Sequence, residues 1–295
     1  MSIWLRGSVL VTGATGTHGG AVARGLLSAG YPVSALVRDP NSERASQLST
    51  LGIKLVAGDL DDPRSLVSAF RGPSALYAVT TPFGGGTGEE ERQGQNIISA
   101  AEQAELPWLI LASVAAADRA PVPHFASKAR IEARVRVGTV PWTVIAPSYF
   151  YENVTGLAGS IAEGTLPLAL PADKPLHQVA LSDLGALVAA VMARRDEHLS
   201  ARIEVAGDAP TPMAMASAIG ARFVRLPLSE IRARSPDLAA MYEFLGGDGY
   251  GIDVAALRGR YPEVQWQPFA EWARLSGLRV AQTGEMRAAD EAADG

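Results

Sequence analysis

The twelve residues VLVTGATGTHGG, from Val9 to Gly20, decide the fold. Gly13, Gly16 and Gly19 stand in G-x-x-G-x-x-G spacing, after an apolar run that reads as a strand and before a helical pattern. The first glycine allows a tight turn, the second a close approach of backbone to ligand, and Gly19 with Gly20 close packing of helix on sheet. The helix start then offers unpaired N–H groups and the positive end of its dipole, a seat for phosphate. Strand, glycine loop and helix in this order are the fingerprint of a Rossmann unit holding a dinucleotide. A packing turn in an unliganded α/β domain is the bland alternative.

Outward from the loop, short apolar runs alternate with helical patterns, as in βαβ units on a parallel sheet. Strands are expected over 8–12, 32–37, 53–58, 74–80, 108–113 and 142–147, and helices near 18–29, 42–50, 63–70, 89–104 and 125–137. Gly30 should stop the first helix. Segment 179–192 reads as a helix capped by Ser182, with Asp183 in its first turn. The expected fold is α/β: a doubly wound parallel Rossmann sheet over 1–150, with 179–205 adding a helix and a strand. A smaller α+β region for substrate or partner would span 151–280, with helices at 236–245 and 271–278, the latter packing through its Trp and Leu residues. An acidic tail over 281–295 is expected to be disordered.

Composition narrows the function. Hydrophobic residues make up 47% and charged residues 19% of the 295, which suits a globular chain. A net charge of −5 argues against direct nucleic-acid binding. With no cysteine there is no disulfide, thiolate nucleophile or Cys-ligated zinc. His18, His124, His177 and His198 never fall at i, i+4, so no metal site is expected. His177 reads as structural or surface, and Met213 and Met215 as helix core. No run reads as a signal peptide or membrane span, so a cytoplasmic location is expected.

Cofactor choice turns on the end of the second strand. NAD binders usually place a carboxylate there for the ribose 2′-hydroxyl. This chain has Arg38, whose guanidinium suits a 2′-phosphate, followed by Asp39. NADP(H) is therefore preferred and NAD(H) stays open through Asp39.

TGATGTHGG (12–20), VRDP (37–40), AGDLDD (57–62), VTTP (79–82), ERQGQNIISAA (91–101), PHFASKARIE (123–132), APSYFYEN (146–153) and LSDLG (181–185) together resemble the NmrA-like family of atypical short-chain dehydrogenases/reductases. The chain is especially similar to the NADPH-sensing branch, which carries comparable His-Phe-x-x-Lys and Tyr-Phe-Glu-Asn segments. The resemblance implies a cofactor path. Thr12, Gly13, Thr15, Gly16, Thr17, His18 and Gly19 would take the phosphates and Arg38 the 2′-phosphate. Asp59 and Leu60 would flank the adenine, Thr80 and Thr81 border the nicotinamide ribose, and Arg92 stand near the cofactor. Tyr149, Phe150 and Asn153 would line the nicotinamide end, where APSYFYEN carries one residue more than the family pattern.

Short-chain dehydrogenases use a Ser, a Tyr and a Lys four residues after the Tyr. Ser113 and Lys128 fall in the matching positions, but the Tyr position holds His124. His124 as general acid is one reading, since imidazole titrates near neutrality. A structural histidine at a helix start, with Lys128 serving only the ribose, is the other. Glycine-rich 82–91 reads either as a flap over the cofactor or as a long surface loop.

Two functions follow. One is an NADPH-dependent oxidoreductase acting on a small quinone, carbonyl or conjugated acceptor. The other is a non-catalytic sensor that reports the NADP(H) ratio to a protein partner. Oligomeric state is not legible.

Overall fold

Nearly every apolar run found in the sequence becomes a strand of one sheet, because each is bounded by turn residues and flanked by an amphipathic helix. The computed structural model describes residues 7–280; the acidic tail expected to be disordered lies outside them. In chain order the elements begin with β1 (Val9–Val11), α1 (Thr17–Ser28), β2 (Val33–Val37), α2 (Glu43–Thr50), β3 (Lys54–Ala57), α3 (Pro63–Phe70) and β4 (Ala75–Ala78). There follow α4 (Gly86–Gln103), β5 (Leu109–Ala112), α5 (Pro123–Arg136), β6 (Trp142–Pro147), β7 (Tyr149–Phe150), a 3-10 helix (Tyr151–Leu157) and α6 (Ala158–Ala162). Next come β8 (Thr165–Leu168), β9 (Gln178–Val179), α7 (Leu181–Ala193), α8 (Arg195–His198), β10 (Ala201–Val205) and α9 (Pro212–Ala218). The last are β11 (Arg222–Arg225), α10 (Leu228–Arg234), α11 (Pro236–Gly246), α12 (Val254–Arg260) and α13 (Phe269–Ser276).

The chain divides into two compact units. The first runs to Ser148 and takes in Leu181–Val205 and Ala255–Gln265. Its seven-stranded sheet has the order β10-β6-β5-β4-β1-β2-β3, all neighbours parallel. The chain winds outward from β1 to β3, then returns to β4 on the other side of β1. That reversal opens a crevice at the carboxyl ends of β1 and β4, where doubly wound sheets bind ligands. The central strands β4 and β5 are buried throughout, whereas β3 at the edge is only partly covered. Leu10, Leu76, Leu109 and Val144 from the sheet close one core with Leu66, Phe70, Ile97, Ile98, Ile131 and Val135 from α3, α4 and α5.

Glycine also sets how tightly α1 and α7 cross. A Cβ on Gly25 would lie 2.5 Å from the carbonyl carbon of Gly185, far inside contact distance. Gly30, at φ +82°, ends α1 as expected and donates its N–H to the Leu27 carbonyl at 2.9 Å.

The second unit comprises Tyr149–Ala180, Ala206–Val254 and the chain from Trp266. It holds two small parallel pairs, β8 with β11 and β7 with β9. Tyr151, Leu166, Met215, Phe269 and Trp272 build its core, and the Tyr151 hydroxyl donates to the Gln267 carbonyl at 3.0 Å.

Four local expectations need correction. Helix α7 starts at Leu181, so Ser182 stands inside its first turn rather than capping it. The segment 82–91 is not a long loop, because α4 begins at Gly86, three residues ahead of the expected start, and leaves only a turn before it. Met215 is buried, but Met213 is 55% exposed, being two residues along a helix with one covered face. In α13 Trp272 packs inward while Leu275 faces solvent.

Candidate functional site

The glycine loop is built by exclusion. Gly13 has φ +64°, and its carbonyl accepts the Gly16 N–H at 3.0 Å. A Cβ on Gly19 would lie 2.4 Å from that same carbonyl oxygen, so a side chain there cannot coexist with the turn. Thr12 is buried; its hydroxyl donates to the Val79 carbonyl at 3.0 Å and accepts the Val79 N–H at 2.7 Å. It therefore clamps the end of β1 to the end of β4. Gly13, Thr15, Gly16 and Thr17 are exposed. No side chain caps α1, and no acid stands in its first turn. A helix start so arranged fits the diphosphate of a dinucleotide, by N–H donation and dipole.

His18 shares a 2.8 Å hydrogen bond between its Nε2 and the Tyr77 hydroxyl. Burial, reinforced by the Lys128 charge, pushes its pKa down to about 3, so the imidazole is neutral. Burial alone raises the Tyr77 phenol far above its ordinary range.

At the other end of the crevice Arg38 and Asp39 are exposed beyond β2. Asp39 uses Oδ1 to accept the Asn41 N–H at 2.9 Å, and its carbonyl accepts the Ser42 hydroxyl at 2.8 Å. Asp59 similarly accepts the Asp61 N–H at 3.0 Å. Leu60 packs partly into the core, and its carbonyl takes an N–H of the Asn96 amide at 2.9 Å. Arg92 pairs with Asp61 at 2.8 Å in an exposed bridge, and this hydrogen bond holds the Asp61 carboxyl below its ordinary range.

An enclosed polar cluster lies past the end of β4. Lys128 Nζ donates to the Thr80 carbonyl at 2.7 Å and to its hydroxyl at 3.0 Å, and meets Glu90 Oε1 at 2.8 Å. The Thr80 hydroxyl donates to Glu90 Oε1 at 3.1 Å, and Ser127 donates to Glu90 Oε2 at 2.5 Å. Glu90 has no exposed side-chain surface and Lys128 only 12%. Burial lowers the Lys128 pKa from its ordinary value, opposed by the charge and hydrogen bond of Glu90. Thr81, one residue on, is exposed and accepts the Phe83 N–H at 3.3 Å.

Ser113 and His124 are arranged differently. Ser113, just past β5, donates its hydroxyl to buried Glu132 at 2.5 Å. Glu132 also accepts from Arg136 at 2.8 Å and from Arg202 Nε at 2.9 Å. Arg202 continues to Glu204 at 2.6 Å, and Glu204 takes a two-pronged contact from Arg119 and the Ala116 N–H. Burial pulls the Glu204 carboxyl upward, but these donors, Arg119 foremost, outweigh it and bring its pKa down to about 2. The network ties the loop before α5 to the edge strand β10. His124, in the first turn of α5, packs its ring edge-on to Phe125 at 4.8 Å and tilted to Phe83 at 5.9 Å.

Tyr149, Phe150 and Asn153 belong to the second unit. The Tyr149 hydroxyl bonds to the side chains of Tyr242 and Asn153, and burial raises its pKa well above the ordinary value. His177 is structural, its Nε2 bonded to the Ile252 carbonyl at 2.9 Å. Among the described residues no group of His, Asp and Glu is set to hold a metal, and no helix is long and apolar enough to cross a membrane.

Glu90, Ser127, Glu132 and Arg202 escaped the sequence reading. Glu90 did carry a signal: with Gly94, Ile97, Ile98 and Ala101 it falls on the apolar stripe of α4, where an acid is out of place. Glu132 and Arg202 carried none, being 70 positions apart.

Residues 6–233 match the NmrA-like family. A (4-alkanoyl-5-oxo-2,5-dihydrofuran-3-yl)methyl phosphate reductase of Streptomyces griseus is 30% identical over 280 residues, covering 94% of this chain and 88% of that one. An NAD(P)H azoreductase of Xenophilus azovorans is 31% identical over 156 residues, 52% of either chain, so the match spans about half of that relative. Triphenylmethane reductase of Citrobacter sp., solved with NADP(H), superimposes with a TM-score of 0.77 at 22% identity, over 90% of this chain and 99% of that one. With the family match spanning most of the chain and a relative 30% identical over 94% of it, this protein belongs to the NmrA-like family, an atypical short-chain dehydrogenase/reductase group with an NAD(P)-binding Rossmann fold.

Proposed function

We propose that this protein is an NADPH-dependent reductase that transfers hydride to a small quinone, carbonyl or conjugated acceptor. One observation carries the reading: Lys128 is a buried ammonium held by Thr80 and Glu90 at the carboxyl edge of the sheet that carries the glycine loop. Thr15, Gly16 and Thr17 hold the diphosphate on the start of α1. Arg38 holds the 2′-phosphate through paired, charge-assisted hydrogen bonds, which is why NADP(H) is preferred. Lys128, beside Thr80, holds the nicotinamide ribose by exchanging its contact to the Thr80 hydroxyl for a ribose hydroxyl. When bound, the reduced cofactor supplies the hydride.

The proton is a separate matter. Ser113 directs its own into Glu132, and His124 stands where a tyrosine would donate. Such a site suits acceptors whose reduced form takes its proton from water, such as quinones and dyes. It suits unactivated ketones poorly. Curated relatives named as reductases, an azoreductase and a furanone-phosphate reductase, support this choice.

The same two features favour a second reading, a non-catalytic NADP(H) sensor acting through a protein partner. One experiment separates them: NADPH oxidation with a panel of quinones, azo dyes and aldehydes, alongside calorimetric titration of NADPH and NADP+. Turnover on quinones or dyes well above background is expected. Tight binding without turnover on any acceptor overturns the reductase, and equal affinity for both cofactor forms with no change in association state overturns the sensor.

A further inference from the structure

We propose that Glu90 is the positioning residue of this centre: it fixes the Lys128 head group and keeps it cationic for the ribose of a bound nicotinamide dinucleotide. The inference rests on Lys128 being a cofactor ligand, as read above.

A lysine with 12% of its side chain exposed needs a counter-charge, and the two Thr80 oxygens are neutral. Other charged or titratable groups near Lys128 are engaged elsewhere or neutral, the buried Tyr77 phenol among them. Glu132, one turn along α5, acts only at longer range, its carboxylate engaged by Ser113, Arg136 and Arg202. His18 on α1 is neutral. On α4, Glu91 pairs with Arg130 and Glu89 accepts from Gln93. Glu90 thus provides the carboxylate in contact.

Its own position is over-determined. Thr80 holds Oε1, Ser127 holds Oε2, and no part of the side chain reaches solvent. One turn along α4, Gly94 admits the Ile131 side chain so closely that a Cβ would lie 2.7 Å from it. This approach of α4 to α5 is what lets Glu90 span to Ser127 and Lys128. A neutral, well-packed pair often stabilises such a spot about as well, which fits a role for the charge beyond stability.

The test is fluorescence titration of the full chain with NADPH at about pH 7 and about pH 9. The variants are Glu90→Gln, Glu90→Asp, Lys128→Met and the Glu90→Gln/Lys128→Met double. The parent should change affinity less than about twofold between the two pH values, and Glu90→Gln should lose about tenfold more at the higher pH, as its lysine becomes neutral. Glu90→Asp keeps the charge but withdraws it, so its profile should stay flat at lower affinity. In the Lys128→Met background Glu90→Gln should add nothing. Parent-like binding by Glu90→Gln at both pH values, or an equal loss with and without Lys128, overturns the proposal. Should Glu90→Gln not fold, parent-like affinity in Glu90→Asp overturns it. Parent-like binding by Lys128→Met would instead remove the cofactor-ligand reading beneath it.

Discussion

Positions 90 and 92 of α4 carry opposite charges two residues apart, and each meets its ion-pair partner at 2.8 Å. About 200° of helical rotation separates them, so Glu90 enters the interior and Arg92 stays in solvent. The side chains of Glu90 and Lys128 are 0% and 12% exposed, those of Arg92 and Asp61 57% and 43%. Equal geometry therefore carries unequal consequences. Water screens the outer pair and readily replaces either member. Removing one partner of the inner pair strands a charge that water cannot reach.

The comparison would break first at Glu90. Glu90→Ala should destabilise the fold by about 3–5 kcal/mol in denaturant unfolding, whereas Glu90→Leu with Lys128→Met should recover most of that loss. A double variant as unstable as the single one would show that packing, not charge, decides the site.

Glu204 sharpens the contrast through pH. Its folded pKa of about 2 lies below the ordinary 4.5, so its contribution is complete above about pH 4.5 and is lost as pH falls towards 2. Glu204→Gln should cost about 2–3 kcal/mol at pH 7 and flatten the acid limb of the stability profile. An unchanged acid limb would place the sensitivity elsewhere.

Arg38 is exposed like Arg92, yet it is proposed to meet a ligand charge. Arg38→Ala should weaken NADPH binding by about 2 kcal/mol, roughly thirtyfold, and leave NADH binding unchanged. Equal losses for both cofactors would assign the 2′-phosphate to another group.

The smallest effect belongs to Arg92 itself. Arg92→Ala should leave the denaturation midpoint indistinguishable from the parent at physiological salt. A clear drop would mean that the Asp61 bridge holds the turn before α3, contrary to its exposure.

Much of the first unit was legible because its determinants are local. Apolar runs became β1 to β6 within a residue or two at either end, and Gly30 stopped α1 where a positive φ was needed. The second unit was less so. β8 and β11 pair across 57 positions, with no repeat or turn signal joining them. Glycine-rich 82–91 misled because its composition reads as loop, while α4 already begins at Gly86, three residues ahead of the expected helix.

The sequence by itself determined the parallel sheet, the glycine loop and the family. All three rest on the order of neighbouring residues and on the absence of side chains at Gly13, Gly16 and Gly19. Only the tertiary structure decided what the polar residues do. It turned Ser113 towards Glu132, closed Thr12 onto Val79 and set Glu90 against Lys128. Those choices depend on which distant groups share a dry space, since a buried charge or hydroxyl must find its partner there.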